Sequence, residues 1–177
     1  MKTLATWKRT PGIALVVVGL FLVGGGPANG ATLYGTALDN PGLIYEIDSV
    51  SLSAGIFLDL YSASVVPGID PISELSPNGI ALDPDSQRLY FASFPDPGSP
   101  ADPGVPTSNL YFIDPLEPTV VHWAGTLAGH ASNGTFYEGN YLYIDHGTDF
   151  LRKVTLNADG LLISDVVAAG VLPRTTG

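Results

Sequence analysis

The 177-residue sequence carries 17 acidic residues against seven lysines and arginines, a formal net charge of −10, and no cysteine. That excludes disulfides, thiolate metal sites and cysteine nucleophiles. A surface so acidic repels nucleic acid and anionic membranes, so neither is expected as a partner.

The chain opens with a basic leader holding Lys2, Lys8 and Arg9, followed from Gly12 to Gly24 by an uncharged, mostly apolar run. It breaks at Gly25-Gly26-Pro27, and Ala28-Asn29-Gly30 supplies small residues for a cleavage site. These are the parts of a secretory signal peptide over residues 1–30, with cleavage near Gly30/Ala31 and a secreted or periplasmic product. A spanning helix needs about 20 apolar residues; this run is shorter and interrupted by glycine, so no membrane insertion is expected after cleavage. Processing leaves Arg88, Arg152, Lys153 and Arg174 against all 17 acidic residues, a net charge of −13. Residues 31–177 suffice for one domain, which without disulfides must be held by its core.

Short runs rich in Tyr, Ile, Val, Leu and Phe, bounded by Gly, Pro, Asn and Asp, predict strands at 32–37, 43–48, 55–61, 79–82, 88–93, 109–114, 119–124, 134–138, 141–145, 151–156 and 162–167. Tight turns separate several of them, at Asp39–Gly42, Asp83–Ser86, Glu138–Asn140 and Asn157–Gly160. Residues 95–106 alternate proline with small and acidic residues, and proline's missing amide and fixed φ make this a surface loop. Residues 62–76 are irregular.

The chain also repeats itself. Ser76-Pro-Asn-Gly through Leu89-Tyr90 runs Asn-Gly, strand, turn, Leu-Tyr strand, and Ser132-Asn-Gly through Leu142-Tyr143 follows the same order. The Asn-Gly pairs lie 55 residues apart and the Leu-Tyr pairs 53, with a third copy of the second half starting at Leu33-Tyr34. Four strands per unit at a period of roughly 40–55 residues predict an all-β fold of β-propeller blades, about three four-stranded antiparallel units. Three units make an incomplete ring, since propellers close with about 4–8 blades. A truncated or partial copy is therefore expected over residues 31–177, with sheet edges and apolar blade faces left open to self-association. The recurring Tyr34, Tyr90, Tyr111 and Tyr143 read as packing between blades rather than a ligand cage.

Among three histidines, only His146 lies in a catalytic-looking context, Asp145-His146-Gly-Thr-Asp149 at a strand end. A histidine beside two aspartates could act as an acid–base pair or hold a metal, and a solvated turn histidine is the plainer alternative. His122 and His130 lack metal-ligand spacing, and no Gly-x-Ser-x-Gly elbow, phosphate-cradling loop or calcium EF loop is present.

Pro77-Asn78-Gly79-Ile80-Ala81-Leu82-Asp83-Pro84-Asp85 with Leu89-Tyr90, and Asn133-Gly134 through Asp145 with Leu151–Gly160, resemble six-bladed propellers of the senescence-marker-protein, gluconolactonase and strictosidine-synthase-like type. NHL-repeat propellers use similar strands. The resemblance covers residues 76–177, and residues 31–75 only in strand rhythm. It implies that Asn78 and Asn133 project toward a central channel and help bind Ca2+ or another divalent metal, which would polarise a lactone or ester carbonyl. The chain departs from that pattern in two places. Ala31-Thr32-Leu33 offers no glutamate ligand ahead of the first strand, and Thr176-Gly177 stands where an Asp-Gly would carry another. Three functions follow as expectations: a binding protein for a small molecule or protein partner, a divalent-metal-dependent hydrolase of lactones or esters, or a structural cell-envelope protein.

Overall fold

The computed structural model describes residues 15–17, 32–37, 40–51, 53–60, 64–65, 77–93 and 107–169. All regular structure among these residues is strand. In chain order the elements are β1 (Leu15–Val17), β2 (Thr32–Ala37), β3 (Asn40–Asp48), β4 (Ala54–Asp59), β5 (Ser64–Val65), β6 (Pro77–Leu82), β7 (Leu89–Ser93), β8 (Asn109–Ile113), β9 (Val120–Thr126), β10 (Ala131–Tyr137), β11 (Asn140–Asp145), β12 (Phe150–Leu156) and β13 (Leu162–Ala169). They form three sheets, ordered β1-β2-β3-β4, β5-β9-β8-β7-β6 and β10-β11-β12-β13. Each is an antiparallel meander, the form expected of a blade, and in the second blade β5 adds a short parallel partner to β9.

Every strand read from the sequence is present, with ends shifted by up to three residues. Two strands went unpredicted. β5 lies in the irregular stretch 62–76. β1 lies in the apolar run of the leader, where Leu15, Val16 and Val17 pair with Ala37, Thr36 and Gly35 and so fill the first-strand place of blade one. The proline-rich segment 95–106, the cleavage site at 30/31 and residues 170–177 lie outside the described residues.

The middle blade explains the core. All five residues of β7 and four of the five in β8 are buried, because this sheet is covered on both faces. One face, with Leu89, Phe91, Tyr111, Ile113 and Val121, packs on Ile44 and Leu58 of blade one, with Tyr34 and Phe57 alongside. The other, with Tyr90, Ala92, Leu110 and Phe112, packs on Tyr141, Tyr143 and Val154 of blade three. A sheet buried on both faces needs near-continuous apolar strands, which Leu89-Tyr-Phe-Ala and Leu110-Tyr-Phe-Ile provide. Among the described residues β11 is covered on one face, so Tyr141, Tyr143 and Asp145 are buried while Leu142 and Ile144 are half-buried. The four recurring tyrosines all join these inter-blade clusters. They do not all face alike, however. Leu89 faces blade one and Tyr90 blade three, whereas Tyr143 faces back to blade two. The β6–β7 and β10–β11 turns differ in length and each hairpin carries a bulge, so like dipeptides need not point alike.

Turn chemistry closes the hairpins. Glu138 and Gly139 join β10 to β11 with φ of 49° and 70°, the double left-handed backbone of a primed two-residue turn. Asn157 Oδ1 accepts the amides of Asp159 (3.0 Å) and Leu161 (2.8 Å) between β12 and β13. Asp83 takes the Asp85 amide at 3.1 Å and the Ser86 hydroxyl at 2.6 Å between β6 and β7. Arg88 fastens the β12–β13 turn to blade two, reaching the Ala158 carbonyl at 2.9 Å while pairing with Asp114 at 2.9 Å.

At the junction of blades two and three the first strands β6 and β10 meet backbone to backbone. Gly79 has φ of 58°, and a Cβ there would lie 2.6 Å from the Tyr141 hydroxyl and 3.2 Å from the carbonyl carbon of Asn133. A Cβ on Gly134 would run into the Gly79 carbonyl. The buried Tyr141 hydroxyl donates to that carbonyl at 2.7 Å. Glycine is thus required on both strands, and the tyrosine pins them together. Gly134→Ala is expected to lower unfolding free energy by about 1–3 kcal/mol through overpacking, and Tyr141→Phe by about 1–3 kcal/mol through a stranded carbonyl. Gly55→Ala, where nothing lies within 4 Å of the added carbon, should stay within about 0.5 kcal/mol; denaturant unfolding of the three variants checks the ranking.

Candidate functional site

The first strands of blades two and three start at one end of the assembly, where β7, β9 and β11 finish. This leading end gathers the linker 127–130, the turn 146–149 and the starts of β6, β8 and β10. Ser108, fully buried just ahead of β8, clamps the linker. Its amide donates to the Gly129 carbonyl at 3.1 Å, its carbonyl accepts from Leu127 at 2.8 Å and its hydroxyl accepts from Ala131 at 3.1 Å. Asp165 holds the same linker from β13. One carboxylate oxygen accepts from the Ala128 amide at 2.6 Å and the Tyr143 hydroxyl at 2.7 Å, and the other pairs with Arg152 at 2.8 Å.

Asp145 ends β11 and organises the turn that follows. Its carboxylate accepts the His130 amide (3.0 Å), the Gly147 amide (3.0 Å) and the Thr148 hydroxyl (2.7 Å). Its backbone carbonyl accepts from the Asp149 amide at 2.8 Å. Asp149, with φ of 58°, closes the turn in the left-handed region. Gly129 is glycine because a Cβ would lie 2.6 Å from the Asp145 carboxylate carbon. Burial alone would raise the Asp145 carboxyl, but the Thr148 hydroxyl, the His130 and Gly147 amides and the Arg152 charge together hold it below the usual carboxylate range. His146 donates its amide to the His130 carbonyl at 2.8 Å, and the two imidazole centroids are 5.5 Å apart. Burial, then the neighbouring His146, push the His130 imidazole down, against the pull of Asp145.

The sequence candidates Asp145, His146 and Asp149 therefore share one turn, and the fold adds His130 to them. Asn78 and Asn133 lie next to each other across the glycine contact of β6 and β10. Asn133 is exposed, and Asn78 Oδ1 accepts the Gly79 amide at 2.9 Å. His122 is elsewhere, on β9, stacked on Phe112 at 4.9 Å and 3.1 Å from Glu117. As a fit for a divalent ion, the two asparagines offer neutral amides, a weak donor set. Among the described residues no three His, Asp or Glu side chains are grouped to hold a metal ion. Ser108, His130 and Asp165 escaped sequence reasoning. Nothing in their local sequence marks them, since each acts on a segment distant along the chain.

No protein-family model matches this chain, and no curated protein matches it. Among solved structures it is similar to a chain described as "Crystal structure of Nidogen/Laminin Complex", with a TM-score of 0.47 and 17% identity over 80% of this chain and 48% of that one. The chain spans about half the length of that solved chain.

The acid response of this end follows from its two shifted groups, Asp145 and His130, while Asp48 and Asp114, also held low, add to the lower window. A carboxylate lowered in the folded state stabilises the fold above its unfolded value near 4 and loses that contribution as pH falls through the folded value. A histidine lowered in the folded state also costs stability as pH drops, starting near its ordinary 6.5, because the unfolded chain takes the proton first. Stability measured from pH 7.5 to 3 should fall in both windows. His130→Gln is expected to flatten the upper part and Asp145→Asn the lower part; a parallel decline in all three proteins would overturn this assignment.

Proposed function

We propose that this chain is an exported, blade-built binding module that takes a small molecule or protein partner at the leading end of blades two and three. Support comes from how the chemistry-bearing side chains there are employed. Asp145 gives its carboxylate to three donors that hold the turn and the linker, so serving as a general base would cost it bonds the local fold depends on. What this end presents to a ligand is the exposed His146, Gly147, Thr148 and Asn133, set on a frame fixed by Ser108, Asp145 and Asp165. A ligand meeting a rigid frame forfeits little ordering entropy, which favours recognition. Export rests on the leader: a basic start, an apolar run and a small-residue exit.

A second reading, a calcium-type hydrolase of lactones or esters, is favoured by one observation, the juxtaposition of Asn78-Gly79 and Asn133-Gly134 on neighbouring first strands.

An NMR screen with a small-molecule fragment library should perturb the amides of His130, Asn133, His146 and Thr148 together, and His146→Ala with Asn133→Ala should weaken those hits at least tenfold. Hits spread over other surfaces would sink the binding site. Calcium calorimetry run beside a panel of lactones and aryl esters separates the second reading, since metal binding and turnover that vanish together in Asn78→Ala/Asn133→Ala would replace the binding module by the hydrolase. Residues 1–30 fused to a reporter enzyme active only outside the cytoplasm should yield activity that deletion of residues 12–24 abolishes.

A further inference from the structure

Six asparagines lie among the described residues, and the residue after each governs how readily its side-chain amide is lost. Cyclisation needs the next residue's amide nitrogen to reach the carboxamide carbon, and a side chain on that residue stands in the way. Proline follows Asn40 and has no amide hydrogen. Leu110, Tyr141 and Ala158 follow Asn109, Asn140 and Asn157. Glycine follows Asn78 and Asn133, so the approach is sterically open at both. Asn29-Gly30 lies outside the described residues. The fold treats the two open pairs differently, although a shift of register interrupts the ladder at each. Asn78 is half-buried, and its Oδ1 accepts the Gly79 amide at 2.9 Å. Such a bond lies near the plane of the carboxamide, whereas attack must come over its face. Asn133 is exposed and stands inside the bulge between Ala131 and Gly134. The hairpin turn at Glu138 and Gly139 is closed by Tyr137 and Asn140, which exchange both ladder bonds. Counting back in register, Thr135 and Leu142 are the next bonded pair, and Gly134 and Tyr143 fall in a non-bonded one. The Gly134 amide therefore points away from β11, outside the ladder.

We propose that Asn133 is a self-modifying site, which cyclises onto the Gly134 nitrogen and opens to aspartate and isoaspartate in the folded protein, ahead of Asn78. Solvent hydroxide takes the Gly134 amide proton, and the nitrogen attacks Cγ of Asn133. The Cγ–Nδ2 bond breaks, and ammonia leaves with a proton returned by water. A five-membered succinimide remains. Water then opens the ring in one of two ways. Cleavage of the new Cγ–N bond restores the main chain with aspartate, while cleavage at the backbone carbonyl carbon routes the chain through Cβ as isoaspartate. The balance is one water consumed and one ammonia released, with no change of oxidation state. Ring closure asks for a backbone torsion foreign to a paired strand. At Asn133 that torsion falls in a bulge, where pairing is already interrupted, on a strand that stands first in its sheet and is held by a ladder along one side. Both products place a carboxylate beside Asn78, and isoaspartate lengthens β10 by one main-chain atom next to the Gly79–Gly134 contact. The site stands apart from the binding reading, since no ligand takes part.

Peptide mapping by mass spectrometry tests the proposal on the full chain, kept folded in mildly alkaline buffer and sampled over days. Conversion at Asn133 should run more than tenfold faster than at Asn78, at a rate proportional to hydroxide, with isoaspartate among the products. In guanidinium chloride the two Asn-Gly pairs should convert at nearly one rate, which isolates the part played by the fold. Asn133→Gln should remove conversion at this position, because the larger ring closes far more slowly, while Gly134 and the seam between blades stay in place. Equal rates at the two sites of the folded chain, or faster conversion at Asn78, would overturn the proposal. So would an Asn133 that keeps its amide while the unfolded chain converts. A tenfold difference that persists in denaturant would assign the preference to neighbouring sequence and overturn it as well.

Discussion

The contact between β6 and β10 at Gly79 and Gly134 is the constraint on which the remainder of the structure rests. Two peptide backbones touch there without intervening side chains, and the Tyr141 hydroxyl bonds the Gly79 carbonyl across the seam. The distance between first strands sets how closely the outer strands can follow. Tyr90, Phe112, Tyr141 and Tyr143 fill the wedge that opens away from this point. Burial raises the Tyr90 hydroxyl to about 12 and the Tyr141 hydroxyl still higher, so both stay protonated donors across the neutral range. The same contact brings Asn78 beside Asn133, so the local chemistry of the leading end follows from a packing requirement.

Around that seam the linker 127–130 is held from three places: the backbone of Ser108 ahead of β8, the side chain of Asp145 at the end of β11 and the side chain of Asp165 within β13. Ser108, Asp145 and Asp165 each direct hydrogen bonds at its backbone. Such bonds matter because a linker passing between two packed sheets leaves amides that water cannot reach, and an unsatisfied buried amide costs about 1–3 kcal/mol. The polar residues that look catalytic by composition are in large part the ones that meet this demand. Arg88, Asp114 and the β12–β13 turn do comparable work at the opposite end.

Strand positions and three of the four turns were legible in the sequence because their signals are local; the turn read at Asp39–Gly42 was not borne out, since Asn40, Pro41 and Gly42 open β3. Apolar period, Asn-Ala-Asp-Gly at 157–160 and Glu-Gly at 138–139 each act within a few residues. The number of blades was legible from the repeat. What escaped depended on distant partners. β5 is two residues long and exists only through pairing with β9. β1 sits in a run whose composition speaks first of export. The opposite facing of Tyr90 and Tyr143 could not be read from matching dipeptides, because a bulge shifts phase without leaving a residue-type signature. At the candidate site, Asp145 and His146 stood out through composition, while His130 joined them only because the linker folds back over the end of β11.

The pairing of Leu15–Val17 with β2 ties two stretches of chain that lie some twenty residues apart in sequence. The segment occupies the first-strand position of blade one and pairs with Gly35, Thr36 and Ala37 along that margin. A blade without it would have three strands and would bare a row of amides and carbonyls on β2, the kind of margin that recruits another strand.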